Sequence, residues 1–141
     1  MVNDLFERRR LEVFLSATTG GFGVFLLLPA TSMGTPAFEF VTSDITEQAW
    51  GFVFAMNGAA HGLALAVNGS RWWSPLVRCW AALYSATLYS ILTAGFMAYS
   101  LTTTAVWTYG SLSFGSMIAV YWAWKDSIKA VRIRHAIADN P

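Results

Sequence analysis

Four long apolar runs, none with a charged residue in its centre, constrain this chain more than anything else in it. They cover residues 11–28, 50–69, 76–101 and 105–124 of the 141 in the chain. A run of about 20 apolar residues is what a helix needs to cross a bilayer core of roughly 30 Å. Lipid offers a backbone no hydrogen-bond partners, so such runs must close their own bonds as helices. Composition agrees: 55% of the residues are hydrophobic and only 12% are charged, about half the charged share of a soluble domain. The expectation is an all-α integral membrane protein. Four transmembrane helices form a compact bundle in a single domain, 1–141, with an outer loop over 29–49 and a tail over 125–141. Glu12 and Arg78 lie near the ends of their runs, where long side chains are expected to snorkel towards water.

Charge sets the orientation. Arg8, Arg9 and Arg10 precede the first run, and Arg71 and Arg78 flank the join between the second and third. Lys125, Lys129, Arg132 and Arg134 follow the fourth. The 29–49 connection holds no Lys or Arg but carries Glu39, Asp44 and Glu47. All nine basic residues therefore fall on one side of a four-span chain, which makes both termini cytoplasmic and the protein multi-pass. A basic start, an apolar stretch and small residues at 30–34 also fit a cleaved signal peptide. Asp4, Glu7 and Glu12, and the length of the run, argue against cleavage. In the long connection Phe38 and Phe40 are expected at the membrane surface. Asp44 with Glu47 reads as a capping box opening the second helix, and Trp50 as an interfacial anchor. Ser74 before Pro75 reads as an N-cap followed by proline at the first helical position. The tail after Lys125 is expected to continue as a helix lying on or just below the membrane.

The second run has two faces. At 100° per residue Gly51, Ala55, Gly58, Gly62, Ala66 and Gly69 share one side, and Asn57, His61 and Asn68 share another. The first face lets another helix approach closely, Gly58 and Gly62 forming a GxxxG pair. The first run offers the small pairs Ser16/Gly20, Ala17/Gly21 and Thr19/Gly23. The third carries Ala82, Ala86, Ser90, Ala94 and Ala98, and the fourth Ser111, Gly115, Ala119 and Ala123. Such stripes join helices within one chain or between subunits, and both remain open here.

Chemistry has little to build on. His61 is the only histidine inside a run; His135 is in the tail, the lone Cys79 is near an end, and the carboxylates cluster outside or at the termini. No ligand set for a metal or haem assembles at one depth, and no cofactor is expected. No nucleophile–base pair or phosphate-cradling loop is present, so the chain is not expected to be an enzyme. Nothing marks a nucleic-acid partner. Asn57, His61 and Asn68 read first as polar residues bonding neighbouring helices. A pore lined by them in an oligomer is the alternative.

These features together resemble small multi-span membrane proteins of tailed bacteriophages and prophages, often labelled holins. The matching residues are Arg9, Arg10 and Glu12 ahead of a first run ending at Pro29, and then Glu47-Gln48-Ala49-Trp50-Gly51. Ala64-Leu65-Ala66-Val67-Asn68-Gly69 closes the second run, and Ser74-Pro75 and Arg78 open the third. The resemblance implies a holin-like protein of the bacterial inner membrane whose partners are the lipid bilayer and further copies of itself, and which permeabilises that membrane. The alternative is a non-catalytic structural or accessory subunit that docks on a partner membrane protein or excludes other phages.

Overall fold

A computed structural model describes residues 2–29, 33, 38–43, 45–67 and 71–138, with the backbone alone for 2–8, 40 and 135–138. The chain is all-helical among the described residues. Four long helices, α1 (Val2–Leu26), α3 (Glu47–Ala66), α4 (Ser74–Tyr99) and α5 (Thr104–Ala138), follow the four apolar runs. A single turn of helix, α2 (Glu39–Thr42), lies in the long connection.

Local chemistry sets the helix ends. α1 stops at Leu26, three residues before Pro29, and its last amides tighten onto nearer carbonyls, as in Leu27 N–H to Val24 O at 3.1 Å. α3 is capped by Thr46, whose extended backbone lets its hydroxyl accept from Ala49 N–H at 3.3 Å. The cap is thus Thr46 and not the expected capping box from Asp44, which lies outside the described residues. Glu47 instead accepts from Met33 N–H at 3.2 Å and so ties the long connection to the start of α3. Ser74 is already inside α4, with Trp73 before it and Pro75 in the first turn. Its hydroxyl donates to Ala64 O at 2.5 Å, satisfying one of the carbonyls left open at the end of α3. That use replaces the N-cap role expected of it.

Around the bundle the neighbours follow chain order. α1 packs on α3, α3 on α4 and α4 on α5, while α5 closes the ring on α1 more lightly. Successive helices run antiparallel. As the α1 partner moves from Glu12 through Ser16 to Gly23, the α3 partner falls back from His61 through Gly58 to Gly51. Between α4 and α5 the pairs run from Arg78 with Asp126 through Cys79 with Val120 to Ser90 with Ser113. α1 and α4 run the same way and meet across the middle, where Glu12 reaches Arg78 and Thr19 reaches Tyr89.

The closest crossing is α1 on α3. A Cβ added to Gly23 would lie 2.7 Å from Ala55 Cα, and one on Gly58 would collide with the backbone of Gly20 and lie 2.9 Å from Ser16 O. Only a residue with no side chain allows backbones this near.

Above this crossing the interior is aromatic. Phe54 is fully buried, edge-on to Phe22 at 5.1 Å and beside Trp50 and Tyr89. Tyr109 stacks on both Tyr89 and Phe96. The long connection closes that end. Phe38 packs edge-on against Phe96 at 4.8 Å, and Trp50 is buried with its indole N–H donating to Val41 O at 2.9 Å. Trp50 is therefore not the surface anchor that the sequence suggested, since Val41 of the connection lies over it, and Phe38 turns its ring onto Phe96; the side chain of Phe40 lies outside the described residues. At the other end α5 continues unbroken through Lys125, and Arg134 stacks over the Trp72 ring at 4.6 Å, holding the helix to the α3–α4 turn.

The outside of the bundle is rich in large apolar side chains, among them Phe14, Phe52, Leu63, Trp80, Trp107 and Phe114. By length and composition, α4 alone among the described helices is long and apolar enough to cross a membrane.

A buried charged cluster as candidate functional site

Each of the four long helices sends one charged or titratable side chain to a single level of the interior. Glu12 comes from α1, His61 from α3, Arg78 from α4 and Asp126 from α5. Arg78 grips Glu12 with both arms of its fork: Nε donates to one carboxylate oxygen at 2.7 Å and Nη2 donates to the other. The side chains of both are only 2% exposed. A carboxylate or guanidinium alone at such a place would be very costly. The planar fork matches the carboxylate, so each charge is met along its own hydrogen-bond directions. His61 Nε2 lies 3.5 Å from the Glu12 oxygen that Nε also holds. The other imidazole nitrogen, Nδ1, is buried with no hydrogen-bond partner. Asp126 approaches Arg78 Nη2 at 3.5 Å from the α5 side, with 36% of its side chain exposed, so it is the member nearest the surface.

Glu12 and Arg78 are therefore not snorkelling residues. Each lies at the very start of its run, at the same depth on two parallel helices, and together they neutralise each other in the interior. His61, expected to bond a neighbouring helix, does so through the Glu12 carboxylate of α1. The carboxylate that seemed absent from the apolar interior is Glu12. Sequence reasoning missed this pair although a signal was there: these are the two charges inside apolar runs, and they have opposite signs.

The remaining polar positions are distributed differently. Asn57 does not share a lining with His61; its amide donates to Ser85 Oγ at 2.8 Å and Ala81 O at 3.2 Å, joining α3 to α4. Asn68 and Gly69 lie outside the described residues. Gly51, Gly58 and Gly62 all face α1. A Cβ on Gly62 would lie 3.0 Å from Ser16 Oγ, which itself donates to Gly58 O at 2.9 Å. Gly115 faces α1 at ordinary contact distance, its nearest neighbour being Leu15. Next to the charged level sits a small apolar one, Leu15 with Ala82 and Ala119.

The arrangement can hold charge and fix helix register. Buried serines spend their hydroxyls on backbone carbonyls, Ser116 on Leu112 O and Ser127 on Ala123 O, and Cys79 Sγ is directed at Val120 O. No group of three metal-ligating side chains comes together among the described residues. The fold and the cluster define a class: an all-helical antiparallel bundle, apolar outside, with an ion pair locked in its interior. No protein-family model, curated protein or solved structure matches the chain.

Proposed function

We propose that this chain is an integral membrane protein whose four long helices all cross the bilayer, with both termini on the cytoplasmic side. We further propose that it acts as a non-catalytic accessory subunit docking on another membrane protein. Two features support the membrane reading. The exterior carries large apolar side chains on every long helix. The basic residues Arg9, Arg10, Arg71, Lys125, Lys129, Arg132 and Arg134 are exposed and belong to one end of the bundle, while Glu39 and Glu47 belong to the other. Mean hydropathy understates α3, because its glycines, Asn57 and His61 face protein while Phe52, Met56 and Leu63 face outward. α4, at 26 residues, is ~39 Å long, enough for a core of about 30 Å with some tilt.

The observation that carries the accessory role is where the glycine face of α3 is spent. Gly51, Gly58 and Gly62 are covered by α1 of the same chain. The polar groups that would line an oligomeric lesion are turned inward as well, Asn57 onto α4 and His61 onto Glu12. A holin-like lesion would require opening this crossing and exposing the Glu12–Arg78 pair. One observation keeps that second reading alive: an outward groove of about 570 Å³ between α4 and α5, lined in part by the small residues Gly110 and Ser111, remains open to a second copy.

Membrane potential in bacteria expressing the intact chain decides between them. The accessory reading expects a steady potential at high expression, both for the intact chain and for a Gly58→Leu/Gly62→Leu variant. Abrupt depolarisation by the intact chain, abolished in that variant, would overturn it in favour of a lesion.

A further inference from the structure

We propose that the exposed side of α5 beyond Tyr121 is a binding surface for anionic phospholipid headgroups; this rests on the membrane reading above. Lys125, Lys129 and Arg132 are all exposed and stand four and three residues apart, so they form one stripe. The buried positions Ala119, Ala123 and Ser127 mark the side of α5 that faces the bundle, and the stripe points away from it. One residue earlier in register, Trp124, Ile128 and Val131 form a second exposed stripe that is apolar, 55%, 37% and 47% exposed respectively. The outward surface is thus divided lengthwise, a row of cations beside a row of apolar side chains.

This division suits one chemistry. The apolar row suits the boundary between acyl chain and headgroup, with an indole at the depth such rings favour. The cations beside it meet phosphate oxygens. Lys125 Nζ lies 4.5 Å from the centre of the Tyr121 ring, which holds the charge at the edge of the apolar surface. A purely solvated basic helix would have no use for the apolar row, and a buried one would not expose the cations. An anionic lipid surface attracts each nearby Lys or Arg independently of sequence, whereas the zwitterionic surface offers no net charge.

The test uses the full-length protein reconstituted in phosphatidylcholine vesicles containing brominated lipid, with quenching of tryptophan fluorescence as the readout. Trp72, Trp73, Trp80 and Trp124 lie at this end and are exposed. Brominated phosphatidylglycerol is expected to quench more strongly than brominated phosphatidylcholine. The relative binding constant should fall by about fivefold or more in Lys125→Gln/Lys129→Gln/Arg132→Gln, fivefold being the effect of roughly one cation at an anionic surface. Raised salt should produce the same fall in the intact protein. The variant Lys125→Arg/Lys129→Arg/Arg132→Lys, which retains the charge, should keep the preference. Equal quenching by the two lipids in the intact protein, or a preference that survives the triple glutamine change, would overturn the proposal and leave the stripe to solvent or to an acidic protein partner. Absence of quenching by either lipid would instead overturn the membrane reading on which it rests.

Discussion

The two ends of the bundle interior are held by opposite kinds of chemistry. At one end Glu12, His61, Arg78 and Asp126 meet, one from each long helix, with the bidentate Glu12–Arg78 pair at their centre. At the other, Phe22, Phe54, Tyr89, Phe96 and Tyr109 share a chain of ring contacts. A charged level is specific and brittle, because removing one partner leaves the other buried and unmet. An aromatic level tolerates a change of shape, though not the loss of a ring, because an apolar substitute of similar volume still fills the space. The charged end therefore fixes which helices meet and at what height, and the aromatic end supplies bulk packing once they have met.

The largest effect should come from breaking the charged end. Arg78→Leu strands Glu12 in the interior and should cost about 3–5 kcal/mol in an unfolding titration of the detergent-solubilised protein. The double change Glu12→Leu/Arg78→Leu removes both charges and should recover most of that loss, since apolar replacement of a whole buried pair is often neutral or stabilising. If the double variant were as unstable as the single one, the pair would contribute more than mutual neutralisation and the contrast between the ends would widen. At the aromatic end Phe54→Ala should also be costly, on the order of 3–5 kcal/mol, because it opens a cavity at a fully buried site. The contrast lies in the conservative change: Phe54→Leu should cost less than about 1.5 kcal/mol, while Arg78→Lys, which loses the fork, should keep much of the damage of Arg78→Leu.

What the amino-acid sequence alone makes legible follows the same division. The positions of the helices were legible, because long apolar runs, one closed by Pro29 and one opened by Pro75, leave the backbone few other choices, although the cap of α3 proved to be Thr46. The side of α3 that carries glycine was legible from spacing alone; that α1 covers it was not, since a small-residue face fits a neighbour in the same chain or another. The charged level was hidden for a physical reason. Hydropathy reasoning assigns a charge near a run's end to water, and only the packing of α1 beside α4 brings Glu12 and Arg78, 66 residues apart, to one height. Trp50 and Phe38 misled in the same way: an aromatic residue at interfacial depth faces lipid or a covering loop, and the sequence does not say which. Folding of the long connection over the aromatic end decided it.

Between the two ends lies a contact of intermediate kind, the hydrogen bond between Thr19 Oγ1 and Tyr89 OH at 3.1 Å, joining α1 to α4. It is buried like the ion pair but uncharged like the rings. Tyr89→Phe removes the hydroxyl and keeps the ring that packs on Phe54 and Tyr109. The orphaned threonine hydroxyl is not stranded as Glu12 would be, because a helical threonine can turn its hydroxyl to a carbonyl one turn back, as Thr93 does with Tyr89 O at 2.7 Å. The expected cost is therefore small, about 0.6 kcal/mol, the typical worth of an interhelical hydrogen bond in a bilayer. It would be read as a slight shift in the same unfolding titration. A loss several times larger would mean that the middle of the interior behaves like the charged end, with polar groups that have no second choice, and the brittle region would then extend from Glu12 to Tyr89.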